Sequence, residues 1–542
     1  MEIPLKVMLA FIFPITATLI YIFVSRPRNS YFVSAFLFVY AFLVLGISQG
    51  VILGPVNESF FFPFMFSAGD LYANLLRFSL ALTGSVIILY NSKKKDLLFH
   101  IVSVWAISSA IILTLAENLL TFYLFWEMVT ISAAGIIFLR RNSRAYRNGI
   151  IFLLTHLVGG LLLLMGIVKH YKEAGSLLLQ EPEAGMIFFL VAVGIKTAFV
   201  PLHFWLIQGY PSAHWRGTVL LSALSTKVGV YAVARLLEPS LMVAYMGGIM
   251  AIFGIIMALL QKKMRPLLSY HIISQVGYMV AGVGLGLSLS VDGGLLHLLN
   301  HMLYKALLLM SAGAVIYTCG TEKLSKLGGL LKKAPLISVS ALVGSLAISG
   351  IPPFNGFISK TMLKYGTEDE RLLSILLLAA GVGTVMSFSK FMFFGFIRQR
   401  SSDEEQLEFK PLPGSMKFSM TILSGIVILL GIFPQVLMSL TPYGSSTFVY
   451  SFSSAGSSLL TGLVGLIIFF IIRPLIDPSA RLLIHRYLDF STEKVNNFLD
   501  SIYFRGREAV LDKSAPGIST SFWIILFVAG LFFAFLLASL LF

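Results

Sequence analysis

One cysteine, Cys319, stands in the 542 residues. A disulfide framework and a cysteine-ligated iron–sulfur cluster held by this chain alone are both excluded. Charge is scarce as well: Asp, Glu, Lys and Arg make up 12% of the residues, where soluble domains carry about 25%. Neither a phosphate-binding loop nor a dinucleotide fingerprint occurs, so no ATP, no NAD and no other cofactor is expected here. What fills the chain is apolar, with 57% hydrophobic residues and a mean hydropathy of +0.88. The expectation is an all-α polytopic membrane protein with no separate soluble domain.

Hydropathy resolves about 16 apolar segments of spanning length, starting roughly at residues 5, 31, 70, 98, 119, 148, 186, 215, 240, 266, 293, 335, 371, 415, 455 and 519. The first lacks a small-residue cleavage site and is expected to be retained. A net charge of +15 taken alone suggests an anionic partner, but the placement of the charges argues otherwise. The basic residues gather in alternate loops, at Arg26 and Arg28, Lys93 to Lys95, Arg140 to Arg147, Lys262 to Arg265 and Lys323 to Lys333. The loops between them are acidic or near neutral, with Glu58, Asp70, Glu117, Glu181, Glu183 and Asp292. The positive-inside rule then makes the basic loops cytoplasmic and, for 16 spans in a cell membrane, both termini external. Lipid is the partner this pattern implies, and nucleic acid is not.

Against that background a few polar residues stand out. Lys196 lies inside an apolar segment that Pro201, Gly209 and Pro211 then interrupt. A mid-membrane charge costs at least about 2.5–3.5 kcal/mol, and proline-broken helices survive in lipid only where protein or water satisfies the freed carbonyls. Glu127 is the one carboxylate placed at mid-membrane by hydropathy, and it is the expected counter-ion of Lys196, since an opposite charge within about 4–6 Å offsets desolvation. Lys227 adds a second mid-helix lysine beside small residues that admit a close neighbour. His297, His301 and Lys305, at i, i+4 and i+8, form one polar stripe on an otherwise apolar helix. Imidazole titrates near neutrality, so the stripe reads as a proton relay, with no metal site expected. The roles of His156, His203, His214 and Lys390 stay open.

The chain also repeats its organisation. A charged helix is followed two spans later by a broken one in residues 98–239, and again in 240–397, where Ser349-Gly-Ile-Pro-Pro-Phe-Asn-Gly-Phe-Ile-Ser-Lys360 is the second break. Five spans is an odd number, so consecutive copies must run in opposite directions, as two inverted repeats. Residues 1–97 then form N-terminal helices, 398–476 further core helices, and 477–542 an amphipathic surface helix with a final anchor span.

Trp126-Glu127, Lys196 with Pro201-Leu-His203-Phe-Trp205, Thr226-Lys227-Val-Gly-Val-Tyr, Ser269-Tyr-His-Ile-Ile-Ser-Gln-Val-Gly-Tyr278, His297 to Lys305 and Gly350 to Lys360 together resemble the antiporter-like, proton-conducting subunits of respiratory complex I. That family includes subunits of multisubunit cation/proton antiporters, membrane-bound hydrogenases and archaeal sulfur-reducing complexes. The resemblance covers roughly residues 70 to 400. It implies that Glu127 pairs with Lys196 in one half-channel, that Lys227 and the His297–Lys305 stripe join the halves, and that Lys360 ends the second. It also implies membrane-subunit partners, iron–sulfur redox subunits reached through them, and protons, with Na⁺ as an alternative ion. An assembly without a redox partner is the competing reading. The loop Tyr-Pro-Ser-Ala-His-Trp-Arg-Gly-Thr departs from the alanine- and proline-rich turn of many members.

Overall fold

A computed structural model describes residues 5–23, 29–45, 52–53, 66–67, 71–92, 96–179, 182, 184–400, 409–442 and 449–479. The expected surface helix and final span of residues 477–542 fall almost wholly outside the described residues. Apolar runs become helices because a helix satisfies every backbone group internally, which a bilayer demands. The chain opens with α1 (Leu5–Phe23), α2 (Asn29–Leu45), α3 (Leu71–Tyr90), α4 (Leu97–Leu113), α5 (Leu119–Phe138) and α6 (Ser143–Ala174). A two-residue antiparallel pair, Ile52–Leu53 with Phe66–Ser67, lies between α2 and α3. Next come α7 (Met186–Thr197), α8 (Phe204–Ser212), α9 (Trp215–Ala223), α10 (Ser225–Leu236), α11 (Leu241–Leu259), α12 (Met264–Leu285) and α13 (Ser288–Cys319). The short α14 (Leu330–Lys333) leads to α15 (Pro335–Ser349), α16 (Asn355–Gly366) and α17 (Arg371–Met392), and α18 (Gly414–Ile432), α19 (Pro434–Met438) and α20 (Phe452–Ile472) follow.

Nine of these stretches are long and apolar enough to cross a membrane, and five shorter apolar helices accompany them among the described residues. Helix starts are fixed by side-chain caps: Asn118 accepts from the Thr121 N–H, Asn142 from Ala145 and Ser240 from Val243. Glycines in the left-handed region, Gly175, Gly286 and Gly320, end α6, α12 and α13. Both α6 and α13 have 32 residues, about 48 Å at 1.5 Å per residue, and so exceed a hydrocarbon core of about 30 Å.

Two features place the site. The first is a pair of interrupted helices: α7 stops at Ala198 (φ 62°) and resumes as α8, and α15 stops at Gly350 (φ 75°) and resumes as α16. The second is the central position of α13, which packs against α3, α9, α12, α15, α16 and α18. Next to it α11 and α12 touch backbone to backbone. A Cβ on Gly247 would fall 2.3 Å from the Ala281 nitrogen, and one on Gly254 would fall 2.5 Å from that of Ser274. Without a hydrophobic drive between helices in lipid, such close approach is what holds the pair.

Candidate functional site

Lys196 occupies the last turn of α7 and is fully buried. Its Nζ donates to the Trp126 carbonyl (3.0 Å) and to Thr130 Oγ1 (2.7 Å), both on α5, and lies 4.3 Å from the centre of the Trp126 ring. The ammonium is thus held by two acceptors and an aromatic face, an arrangement worth about 2 kcal/mol or more for the ring contact when water is excluded. Glu127 lies within electrostatic reach of Lys196, but no ion pair within 4.0 Å joins them among the described residues. Its Oε1 is buried with no hydrogen-bond partner and lies against Gly160 of α6, where a Cβ would fall 1.9 Å from it. One turn before Gly160, His156 is buried between Phe152 and Trp205, its Nδ1 hydrogen-bonded to the Phe152 carbonyl at 2.9 Å.

Lys227 lies in the first turn of α10, fully buried, with Thr226 Oγ1 at 3.2 Å. The segment expected as one helix from residue 215 is divided here: Leu224 leaves the helical region (φ −106°, ψ −88°) and separates α9 from α10. Two residues after Lys227, Gly229 lets α10 pack directly onto the Lys196–Thr197 backbone, which brings the two lysine helices together. His297, His301 and Lys305 are all fully buried on α13, as their spacing predicts. Both ring nitrogens of His301, and Nζ of Lys305, have no protein partner. Lys227, Lys305, His297 and His271 all lie within electrostatic reach of His301, and Lys360 within that of His297 and His271. On α16, Lys360 is partly exposed, donates to the Ile348 carbonyl at 2.7 Å and sits over the Tyr278 ring at 4.9 Å.

A collar of arginines closes one end of the first break. Arg140 donates to the carbonyls of Pro211 (3.3 Å), Ser212 (3.1 Å) and Ala213 (3.4 Å). Arg265, at the start of α12, donates to the same Ala213 carbonyl at 2.9 Å and pairs in a fork with Glu322 at 2.6 and 3.0 Å. Cations on carbonyls at the end of α8 complement its dipole.

The family model described as NADH:quinone oxidoreductase/Mrp antiporter, TM matches residues 116–387, the stretch that holds both breaks and every lysine and histidine of the row. This chain belongs to that family. An uncharacterised protein of Methanocaldococcus jannaschii is 30% identical over 389 residues, 66% of this chain and 80% of that one. A Na(+)/H(+) antiporter subunit of Alkalihalophilus pseudofirmus is 27% identical over 391 residues, 67% of this chain and 79% of its own length. A chain of the Mrp complex from Dietzia sp. DQ12-45-1b superposes with a TM-score of 0.74, over 86% of this chain and 100% of that one, at 20% identity. A chain of the membrane-bound sulfane sulfur reductase, an archaeal respiratory membrane complex, does so with a TM-score of 0.71, also at 20% identity. At that identity the likeness shows the fold, a membrane fold shared with subunits of multisubunit complexes.

In this member of the NADH:quinone oxidoreductase/Mrp antiporter family several polar groups gain places that residue order alone does not assign. Asp292, expected in a loop, is buried in the second turn of α13 and accepts from the Tyr72 hydroxyl at 3.0 Å. Lys390 is buried and donates to the carbonyls of Leu259 (2.6 Å) and Gln261 (2.9 Å) at the end of α11, a capping role. His214 caps α9 by accepting from the Arg216 N–H at 3.4 Å, and His203 lies against Phe253 with ring centres 4.7 Å apart. Gln275, Asn300, Tyr304, Asn355 and Ser359 form a buried hydrogen-bonded group around His297. Their one sequence signal was polarity inside apolar helices; Asn300 lies off the stripe that spacing picks out, Tyr304 shares α13 with it, Gln275 lies on α12, and Asn355 and Ser359 lie on α16.

Proposed function

We propose that this chain is an ion-translocating subunit of an energy-converting respiratory assembly, moving protons, or exchanging them for Na⁺, along its buried lysines and histidines. The observation that carries the reading is the row itself: Lys196, Lys227, His301, Lys305 and His297 are fully buried between two interrupted helices, and Lys360 at the second interruption regains partial exposure. An inert scaffold would not bear the insertion cost of so many ionisable groups. Lys196 binds the proton in the first half, with Glu127 balancing its charge; Lys227, His301, Lys305 and His297 pass it across; Lys360 ends the path.

The same reading takes residues 98–239 and 240–397 as two inverted repeats within a 16-span chain. Support comes from the matching order of elements: a 32-residue helix, α6 or α13, precedes each interrupted pair. Residues 1–97, 398–476 and 477–542 flank the repeats, with the basic loops cytoplasmic and both termini external. Partners are other membrane subunits and, through them, iron–sulfur subunits that supply the energy. The relative named as part of a Na(+)/H(+) antiporter favours a second reading, an antiporter assembly with no redox partner. Identifying the chains that co-purify with the native complex decides between them, since only the first reading expects iron–sulfur subunits.

The central test is Lys196→Ala. In vesicles it abolishes ion movement while the complex still assembles; ordinary ion movement by this variant would sink the assignment.

A further inference from the structure

Each tautomer of a neutral imidazole has one N–H donor and one bare acceptor nitrogen, and the partners of the two nitrogens decide which tautomer forms. Around His297 both nitrogens have partners that can serve either tautomer. Nδ1 lies 2.9 Å from Ser359 Oγ, and Nε2 lies 3.0 Å from Gln275 Oε1 and 3.2 Å from the Tyr304 hydroxyl. With the proton on Nε2, that N–H donates to Gln275 Oε1 and the Ser359 hydroxyl donates to Nδ1. With the proton on Nδ1, that N–H donates to Ser359 Oγ, whose hydroxyl turns to the Gly356 carbonyl at 3.5 Å, and Tyr304 donates to the bare Nε2. The Gln275 amide nitrogen has no partner, so turning the amide towards Nε2 gives up only the contact of Oε1 with the Tyr304 hydroxyl at 3.4 Å, which that hydroxyl leaves in this state. Asn300 donates to Ser359 Oγ at 3.1 Å and exchanges hydrogen bonds with Asn355, which fixes the serine in either state.

We infer that Ser359, Tyr304 and Gln275 are positioning residues that make His297 a two-tautomer relay, able to hand on a proton while the imidazole returns to neutrality. The inference deepens the proposed proton path and rests on it. Tyr304 stands on the side of His301, their rings 5.5 Å apart, whereas Ser359 shares α16 with Lys360, which lies within electrostatic reach of His297, so Nε2 is turned to α12 and α13 and Nδ1 to α16. A proton arriving at the bare Nε2 forms an N–H bond there. The Nδ1–H bond then breaks, its proton passes to Ser359 Oγ, and the serine's own proton leaves through water to the neutral amine of Lys360, which becomes the ammonium. One proton has entered, one has left, and the ring is neutral in its other tautomer, held by the same partners. The ring resets when water carries that same proton round from Nε2 to Nδ1, so that none returns to the side it came from. A charge trapped on the ring beside Lys227 and Lys360 would repel the next proton, and two satisfied neutral states avoid that trap.

The test uses the full chain, labelled with ¹⁵N-histidine in lipid nanodiscs, together with ion movement in vesicles. Protonated and bare ring nitrogens resonate apart, and the His297 signals are those lost in His297→Asn. Wild type shows both tautomers. Ser359→Ala collapses them to the Nε2–H form and lowers proton movement by about 10²-fold, the scale of a positioned proton-transfer group; Ser359→Thr, which keeps the hydroxyl, restores both. A single tautomer in wild type, or both tautomers with full ion movement in Ser359→Ala, overturns the inference. Loss of ion movement in His297→Asn beside normal movement in Ser359→Ala removes the tautomer role and leaves the path through His297 standing. Normal movement in both variants removes that path as well.

Discussion

Gly160 owes its place to a carboxylate that belongs to another helix. A methyl at this position would lie 1.9 Å from Glu127 Oε1, so Gly160→Ala forces the carboxylate to turn away. Because the displaced atom ends a flexible side chain, stability should change by less than about 1 kcal/mol, while ion movement should fall by about 10²-fold as a charged group leaves its position. Thermal unfolding and vesicle ion movement, measured together, check the split; unchanged movement would deny Glu127 its part. Lys196 was legible in the sequence because a lysine in an apolar run is too costly to be incidental. Its partners were not. Thr130 and the Trp126 carbonyl reach it because of the rotation of α5 about its axis, and nothing in a linear sequence fixes that angle.

The two interruptions were legible at the scale of the element, since proline marks where a helix must stop. Leu224 and Ala198 were not, because neither residue type signals a break. Ala198 sits fully buried at φ 62°, a conformation that costs a non-glycine residue about 1–2 kcal/mol. Ala198→Val places a β-branched residue there and adds overpacking of about 1–3 kcal/mol, so the variant should lose folded protein in membranes, whereas Ala198→Gly should fold at least as well as wild type. Quantifying membrane-inserted protein and its melting temperature for both variants tests the turn; an Ala198→Val protein as stable as wild type would contradict it.

Fifteen of the sixteen segment starts read from hydropathy lie within about five residues of an observed helix start, and the sixteenth falls outside the described residues. Their mutual packing was not legible, because glycine contacts such as those of α11 with α12 depend on which faces meet. The arginine collar belongs to this scale, since Arg265 and Glu322 bring together the start of α12, the end of α13 and the last carbonyls of α8. Arg265→Ala strands a largely buried carboxylate and should cost about 3 kcal/mol, and the double variant with Glu322→Ala should cost less than the two single changes added together. Additive losses in thermal unfolding would show that the pair does not act as a unit.

That joint carries an obligation of its own. The end of the first interrupted helix and the first turn of α12 hold one carbonyl in common, through Ala213, so a shift of either is work done on the other. Linkage is symmetric for binding: if protonation near Lys196 changes ion affinity near Lys360 by some factor, occupancy near Lys360 changes affinity near Lys196 by the same factor. On the proposed path, such coupling would leave neither half in command of the other.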